Sequence, residues 1–340
     1  MSGGRLSGLG LTKLGFGPFF SAQIQEGELV ARVAVEHRDR FVIVTADGPE
    51  EAELAGRFWQ RTRTERQLDK PVVGDFVVFK RIPAPVIERR LDRRTELLRQ
   101  AAGRRPIPQG VAANIDVVFI LTAVGEDLSA RRVERFLGAV RAGRAQAVVV
   151  LSKADLSADL SPLQAELGAL GAELIVTSAV TGLGLEQLRA HLGEGKTALL
   201  VGSSGVGKST LANHLAEEAL RSTADVRVKD DKGRHTTTER ALLPLPGPGG
   251  VAGGGGLLID SPGIREFLPW EAGQGVQASF EDVEAVAQDC RFRDCRHERE
   301  PGCAVRSAVE DGRLDSARVM NAQKLRAEQD EARGKGRRGR

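Results

Sequence analysis

The sequence predicts a three-part, multidomain protein: a small all-β barrel, then an α/β domain, then a helical segment built around a metal site. Three observations carry this reading. Between residues 28 and 90, short β-branched and aromatic runs are broken by polar turns, with no amphipathic helix between them. From Asn114 onward, apolar strands alternate with helices, the pattern of βαβ units on a parallel sheet. Three cysteines and a histidine then fall within fourteen residues, 290–303. A length of 340 residues suits such an arrangement, since domains run to roughly 100–200 residues.

Composition narrows the function classes. The chain is 41% hydrophobic and 28% charged with a mean hydropathy of −0.22, which fits a soluble globular protein and argues against disorder or membrane residence. The longest apolar run, 117–124, is broken by Thr122 and is far short of the roughly 20 residues of a spanning helix. Residues 1–17 are glycine-rich and lack the apolar stretch of about 7–15 residues of a secretory leader, so a cytoplasmic protein without a membrane partner is expected. The net charge of +3 hides an uneven distribution. Residues 57–105 carry 14 Lys/Arg against 6 Asp/Glu, and the tail 333–340 carries five basic residues and no acidic one, which leaves −10 for the rest. Basic regions flanking an acidic middle suit polyanion contacts.

Taken in order, ELVARVAVEHRDRFVIVTA (28–46) reads as two strands joined at HRDR, with a turn at Asp47, Gly48 and Pro49. PVVGDFVVFK (71–80) reads as a strand pair around Gly74 and Asp75, followed by a strand at Val86 and Ile87. Four or five short strands in this space favour a small β-barrel or sandwich, and an OB-type barrel first, since such barrels commonly bind oligonucleotides and this one would carry the basic stretch. IDVVFILTAV, AVVVLS, ELIVTSA, TALLVG and LLID are then strands, with helices over 130–143, 163–170, 185–192 and from Ser209 to about Leu220. The Gly/Pro-rich stretch 244–256 links two strands rather than two domains. After Trp270 the chain becomes helical, contains the cysteine cluster and ends in a basic tail.

Gly202, Ser203, Ser204, Gly205, Val206, Gly207, Lys208 and Ser209 match G-x-x-x-x-G-K-[ST] directly after a strand and directly before a helix that continues with Thr210. In that motif backbone N–H groups converge on phosphate oxygens, Lys208 reaches the β and γ phosphates, and Ser209 offers its hydroxyl to Mg²⁺. Asp260, at the end of the LLI strand and followed by Ser261, Pro262 and Gly263, is placed to hold the Mg²⁺ through water, with the Gly263 N–H near the γ phosphate. Nucleoside triphosphate binding is expected.

The base is addressed by Ser152, Lys153, Ala154 and Asp155 at the end of AVVVL. They resemble the Asn-Lys-x-Asp signature of GTPases, in which the carboxylate accepts from the two guanine donors that adenine lacks. Thr177, Ser178 and Ala179 resemble the guanine-O6 clasp of the same enzymes. Ser152 stands where asparagine is usual, and its shorter hydroxyl ties the loop less completely. These base motifs precede the phosphate loop, the reverse of small GTPases, so the sheet closes only if the chain is circularly permuted. With Arg93-Arg94-Thr95-Glu96-Leu97, Ala113-Asn114-Ile115-Asp116, Gly233-Arg234-His235-Thr236-Thr237-Thr238 and Asp260-Ser261-Pro262-Gly263, the chain resembles the RsgA family of circularly permuted GTPases over roughly residues 28–325. The resemblance implies an OB-type β-barrel, a circularly permuted α/β P-loop GTPase domain and a C-terminal helical zinc-binding domain. It also implies a role in late maturation of the small ribosomal subunit, with hydrolysis stimulated by that subunit. The expected division is a flexible extension over 1–24, the barrel over 25–105, the GTPase domain over 110–270, the zinc and helical domain over 271–330 and the basic tail over 331–340.

Further roles follow. Thr237 or Thr238 would close over Mg²⁺ and the γ phosphate as a first switch. Beside Gly263, Ile264 replaces the water-orienting glutamine of Ras-like enzymes, and an aliphatic side chain cannot polarise water. His235 is the candidate to supply that function. Cys290, Cys295, His297 and Cys303 form the ligand set of a closed structural Zn²⁺ site, with Arg291, Arg293, Arg296 and Arg299 displayed around it for phosphate contacts. Trp59 is a candidate to stack on a base. The expected ligands are thus GTP or GDP with Mg²⁺ and one structural Zn²⁺, and the expected partner of a monomeric chain is the small subunit with its rRNA. The alternative is an RNA-binding assembly module in which bound nucleotide only holds a conformation.

Overall fold

The structure, a computed structural model, describes residues 9–37, 40–64, 67–100, 108–125, 128–216, 240–247, 252–260, 281–292, 295–316, 319–320 and 322–323. The first five strands are β1 (Leu29–His37), β2 (Arg40–Thr45), β3 (Gly48–Leu54), β4 (Phe76–Ile82) and β5 (Ala84–Arg90). They run in the order β1-β2-β3-β5-β4, and β1 pairs with β4 to close a five-stranded barrel. Closure leaves no open sheet edge. All its pairings are antiparallel except β3 with β5, through Glu53–Val86 and Leu54–Ile87. Ala31, Val33, Phe41, Ile43, Ala52, Phe58, Val77, Phe79 and Ile87 fill the interior. Because side chains alternate along a strand, the other face of β1 presents Val30, Arg32 and Ala34 outward, and these too are buried.

Several local expectations are corrected. Gly48 and Pro49 open β3 instead of forming the turn, which falls at Ala46 and Asp47. Residues 71–75 are not a strand: the Asp75 carboxylate accepts the Val72 N–H at 2.8 Å and bends the segment, so the strand starts at Phe76. A helix, α2 (Gly56–Thr64; α1 is Pro18–Ser21), lies between β3 and β4 where none was expected. It closes the barrel with Phe58 alone while the rest of GRFWQRTRT is polar or exposed, so no apolar periodicity announced it. Residues 9–24, expected to belong to a flexible extension, pack onto the fold. Phe20 sits 4.3 Å from Phe76, centroid to centroid, and Leu9 and Leu14 enter the α/β core.

After a two-stranded ribbon, β6 (Glu96–Gln100) with β7 (Pro108–Ala113), come the α/β elements. These are β8 (Val117–Ala123), α3 (Ala130–Ala142), β9 (Gln146–Ser152), α4 (Ser161–Gly168), β10 (Glu173–Val176), α5 (Leu185–Ala190), β11 (Thr197–Gly202), α6 (Lys208–Leu215), β12 (Ala241–Pro246) and β13 (Ala252–Asp260). Strand order is β10-β9-β8-β11-β13-β12, all parallel but β12. From β8 the chain works outward to β10, then returns to place β11 on the other side of β8. Strand order therefore reverses between β8 and β11, the place where open parallel sheets bind ligands. Two apolar layers cover the faces, α3 packing on one and α6 on the other. The stretch 244–256 does join two strands, and both extend into it. Gly255 is needed there, because a Cβ would stand 2.2 Å from the Pro246 carbonyl oxygen. Val35 pairs with Ala241, so β12 joins the barrel to the α/β sheet. Near the C-terminus, α7 (Glu281–Ala287) and α8 (Ala304–Glu310) enclose a small core of Val283, Val305, Ala308 and Leu314. Among the described residues no helix is long and apolar enough to cross a membrane.

Candidate functional site

The phosphate loop stands at the reversal point. Gly202 ends β11 opposite Leu121 of β8, and α6 begins at Lys208 behind Gly207, whose φ of +95° favours glycine. A Cβ at Gly202 would lie 2.4 Å from the Leu121 carbonyl oxygen, so only glycine lets the loop leave the sheet this close to β8. Val206 is fully buried and pins the loop, while Ser204 and Gly205 form its exposed apex. Lys208 Nζ donates to the carbonyls of Gly202 at 2.8 Å and Ser203 at 2.5 Å. Ser209 and Thr210 follow, exposed, in the first turn of α6. Asp260 ends β13, the parallel neighbour of β11, and Ser209 lies in the helix that the phosphate loop joins to β11, so the exposed Asp260 carboxylate and the Ser209 hydroxyl could share a magnesium ion. Gly263, Ile264, His235, Thr237 and Thr238 lie outside the described residues.

The base motifs are brought to the same edge by β9 and β10. Ser152 Oγ lies 2.7 Å from the Val206 carbonyl and 3.1 Å from that of Thr122. Short as it is, this hydroxyl reaches the phosphate loop. Lys153 takes φ +57°, unusual outside glycine, and the Ala154 N–H donates to the Thr177 carbonyl at 3.0 Å. These bonds lock the two base loops together. Buried Ser178 donates its hydroxyl to Asp155 Oδ1 at 2.5 Å, orienting an exposed carboxylate, and Ala179 lies half-buried beside it.

The third cluster is a closed set of donors. The ligand atoms of Cys290, Cys295, His297 and Cys303 all lie within 4.8 Å of one another. Cys290 Sγ is 3.6 Å from His297 Nδ1 and 4.0 Å from Cys303 Sγ, and Cys303 Sγ is 3.4 Å from His297 Nδ1. Zinc–sulfur bonds of about 2.3 Å at tetrahedral angles place sulfurs about 3.8 Å apart, with slightly shorter sulfur–nitrogen edges. The donor set therefore fits a tetrahedral zinc ion with no position left for substrate. Burial, opposed by a backbone bond from His297 and reinforced by the neighbouring thiols, pushes the Cys295 thiol up to about 11. His297 is held with φ +64°, and Gln323 donates to its carbonyl at 2.7 Å. The Glu300 carboxylate accepts the N–H groups of Arg296, Glu298 and Arg299, which hold its carboxyl down at about 2.

Comparison with known proteins now bears on these sites. Residues 90–270 match the family described as RsgA GTPase. The small ribosomal subunit biogenesis GTPase RsgA of Opitutus terrae is 41% identical over 337 residues, covering 94% of this chain and 89% of the relative. The chain belongs to the RsgA GTPase family. The RsgA of Xanthomonas axonopodis pv. citri is 46% identical over 307 residues, covering 88% of this chain and 80% of the relative. Among solved structures, YjeQ from Thermotoga maritima superposes with a TM-score of 0.61 at 27% identity, covering 88% of this chain and 98% of that one. YloQ, titled a circularly permuted GTPase, gives 0.59 at 23% identity over 90% of this chain and 96% of its own, a likeness of fold. The permuted order expected from the base motifs is thus that of the RsgA fold.

Two arginines of this RsgA family member escaped the sequence reading. Arg32 is 1% exposed on the outer face of β1 and donates to the carbonyls of Leu14 (2.6 Å), Gly74 (3.1 Å) and Asn114 (3.0 Å) and to the Thr197 hydroxyl (2.9 Å). Its four acceptors come from four separate segments, and Thr197 opens the strand that ends in the phosphate loop. Burial pushes the guanidinium down to about 10, so it stays charged at neutral pH. A lone cation inside VARVAV was the available signal. Arg132, in the first turn of α3, donates from Nη1 to the Ser203 hydroxyl of the phosphate loop. Nothing in the sequence pairs residues so far apart.

Proposed function

We propose that this protein is a GTPase of small ribosomal subunit biogenesis, as the names of its relatives state for them, and further that it acts late in that process and that contact with the subunit stimulates hydrolysis. The observation that carries the reading is the bond from Ser152 to Val206, which couples a guanine-type base motif to a phosphate loop at the reversal point of the sheet. In this reading Lys208, Ser209 and the loop amides hold the phosphates, Ser209 and Asp260 hold Mg²⁺, and Asp155 with Ser178 and Ala179 holds guanine. Thr237 or Thr238 closes over the γ phosphate, the Gly263 N–H meets it, and His235 positions the water that Ile264 cannot. When bound, the magnesium ion supplies charge neutralisation on the phosphates. One Zn²⁺ on Cys290, Cys295, His297 and Cys303 is structural.

The barrel (25–105), GTPase unit (110–270) and zinc unit (271–330) divide the work, the outer two meeting rRNA. Arg291 stacks 5.6 Å from the ring of exposed Phe292, and Arg296 and Arg299 lie exposed on the same loop, a pairing of cations and ring suited to phosphate and base. Trp59 offers a second ring on the barrel. The chain acts as a monomer in the cytoplasm.

GTP hydrolysis with and without purified small subunits tests the reading. Turnover is expected to rise at least about 100-fold with subunits, and His235→Ala to lose most of that rise. Unchanged turnover would instead favour the conformational RNA-binding module. A second measurement addresses the base: Asp155→Asn is expected to weaken GTP binding by about 100-fold or more, because guanine presents donors to a group that now also donates. Xanthosine triphosphate, which presents a carbonyl where guanine has its amino group, is expected to bind Asp155→Asn better than GTP does. Equal GTP affinity before and after would remove Asp155 from the site.

A further inference from the structure

The two base loops leave β9 and β10 at the same edge of the sheet and are tied to each other. The Ala154 N–H donates to the Thr177 carbonyl at 3.0 Å, and the Ser178 hydroxyl donates to Asp155 Oδ1 at 2.5 Å. The second loop is also braced within itself. Its Gly182 N–H donates to the Ser178 carbonyl at 2.9 Å, and the Ser178 N–H donates to the Leu183 carbonyl at 3.1 Å. Gly184 ends it with φ +74°, where a Cβ would stand 2.2 Å from the Val176 carbonyl oxygen. On this fixed frame two apolar side chains are held out of the protein. Val180, directly after Ala179, is 83% exposed, and Leu156, directly after Asp155, is 64% exposed. Val180 is the most exposed large hydrophobic side chain among the described residues.

One apolar side chain in solvent needs no explanation. Two of them, each a single residue beyond a group that meets the base edge, form a pattern. Ligand pockets combine a few polar groups that fix orientation with apolar walls that bury the ligand, and the base loops supply both kinds. Asp155 is itself exposed, so water competes for its oxygens. Hydrogen bonds to it discriminate strongly between bases only once that water is kept away. A purine presents flat apolar faces, and an edge bonded at Asp155 and Ala179 brings the ring against the residues that follow them. Val180 is β-branched and stiff at χ1, so covering it costs little side-chain entropy. We propose that Val180 and Leu156 are apolar shoulders for the guanine ring, which pack against the base, exclude water from its bonds to Asp155 and so set base specificity. This rests on the reading of 152–155 and 177–179 as the guanine site.

The test is a double variant, Val180→Ser with Leu156→Ser, in the full chain, read by dissociation constants for GTP, GDP and inosine triphosphate, which lacks the guanine 2-amino group. GTP and GDP are expected to weaken equally, by about tenfold, because the base is common to both. The preference for GTP over inosine triphosphate is expected to shrink as water reaches Asp155, and Val180→Ile to retain both affinity and preference. The urea midpoint of the nucleotide-free chain is expected to stay unchanged, since side chains this exposed contribute little packing. Ile82→Ser, which removes a side chain 68% exposed on β4 of the barrel, is the control and is expected to change none of the constants. GTP binding within about twofold of wild type, weakening of GTP without GDP, or an unchanged preference over inosine triphosphate would overturn the proposal. A lowered urea midpoint would make the two side chains structural and overturn it as well, and weaker binding to purified small subunits at unchanged nucleotide affinity would assign them to a partner instead. Unchanged GTP affinity in Asp155→Asn would overturn the reading of the base loops, and this inference with it.

Discussion

Replacing Arg32 by methionine is expected to destabilise the protein by about 3–5 kcal/mol, because it leaves buried neutral acceptors without their charged donor. Methionine keeps the apolar stem and its packing near Phe76, over whose ring the guanidinium lies 5.1 Å from the centroid, so the loss reports on polar contacts. Of its four acceptors three would be stranded, the carbonyls of Leu14 and Asn114 and the Thr197 hydroxyl, while the Gly74 carbonyl keeps the Asn114 Nδ2 donor at 3.0 Å. Each buried acceptor left without a donor costs about 1–3 kcal/mol, and local relaxation recovers part of the sum. Lysine is expected to rescue little, because an ammonium cannot span acceptors spread around a planar fork. The damage should concentrate where the barrel, the N-terminal segment and β11 meet, so limited proteolysis is expected to open residues 9–24 early. Urea unfolding of wild type and variant reads the stability. A difference under about 1 kcal/mol would mean that these acceptors do not depend on Arg32.

Arg32 also marks what the sequence could convey. Chemistry carried by contiguous residues was legible: the loop 202–209 between strand and helix, Lys153 and Asp155 after a strand, and the four donors within 290–303. Their spacing alone dictates the geometry. The alternation of apolar strands and helices from Asn114 gave the parallel sheet, because burial on both faces leaves continuous apolar runs such as VVFILTA. Features made by distant residues were not legible. Ser203 and Arg132 are 71 residues apart, and Arg32 and Thr197 are 165 apart. Helix α2 was missed because the barrel asks it for one buried ring, Phe58, too few apolar positions for a helical period. Residues 71–75 misled in the opposite direction. Val72 and Val73 are apolar because they are buried in a bend, and the bend is made by Asp75, which Arg93 holds at 2.8 Å. The N-terminal segment looked dispensable in composition, yet three of its apolar residues, Leu9, Leu14 and Phe20, are buried, while Phe19 stays exposed.

Metal removal carries the largest expected effect. The unit that holds α7 and α8 buries few apolar side chains, chiefly Val283, Val305, Ala308, Leu314 and Val319, and so small a core does not hold an ordered segment unaided. Structural zinc contributes about 10–16 kcal/mol of apparent binding free energy in small modules, which becomes folding free energy when the unliganded segment is unfolded. Cys303 is the most informative position to change. Its sulfur lies beside both Cys290 and His297 and also accepts the Arg306 N–H at the start of α8, so it ties the ligand set to the helix. Purified wild-type protein is expected to carry one zinc ion per chain, and Cys303→Ala to carry less than about a tenth of that. A strong chelator, or that substitution, should expose 281–323 to amide exchange and abolish the protection of α7 and α8. Nucleotide binding should survive, because the phosphate loop and base motifs are held by β8, β9, β10 and β11 and none of their hydrogen bonds reaches the cysteine cluster among the described residues. Retained protection in α7 and α8 after chelation would show that the four donors do not hold the segment. Joint loss of protection and nucleotide binding would show that the zinc unit supports the GTPase unit directly.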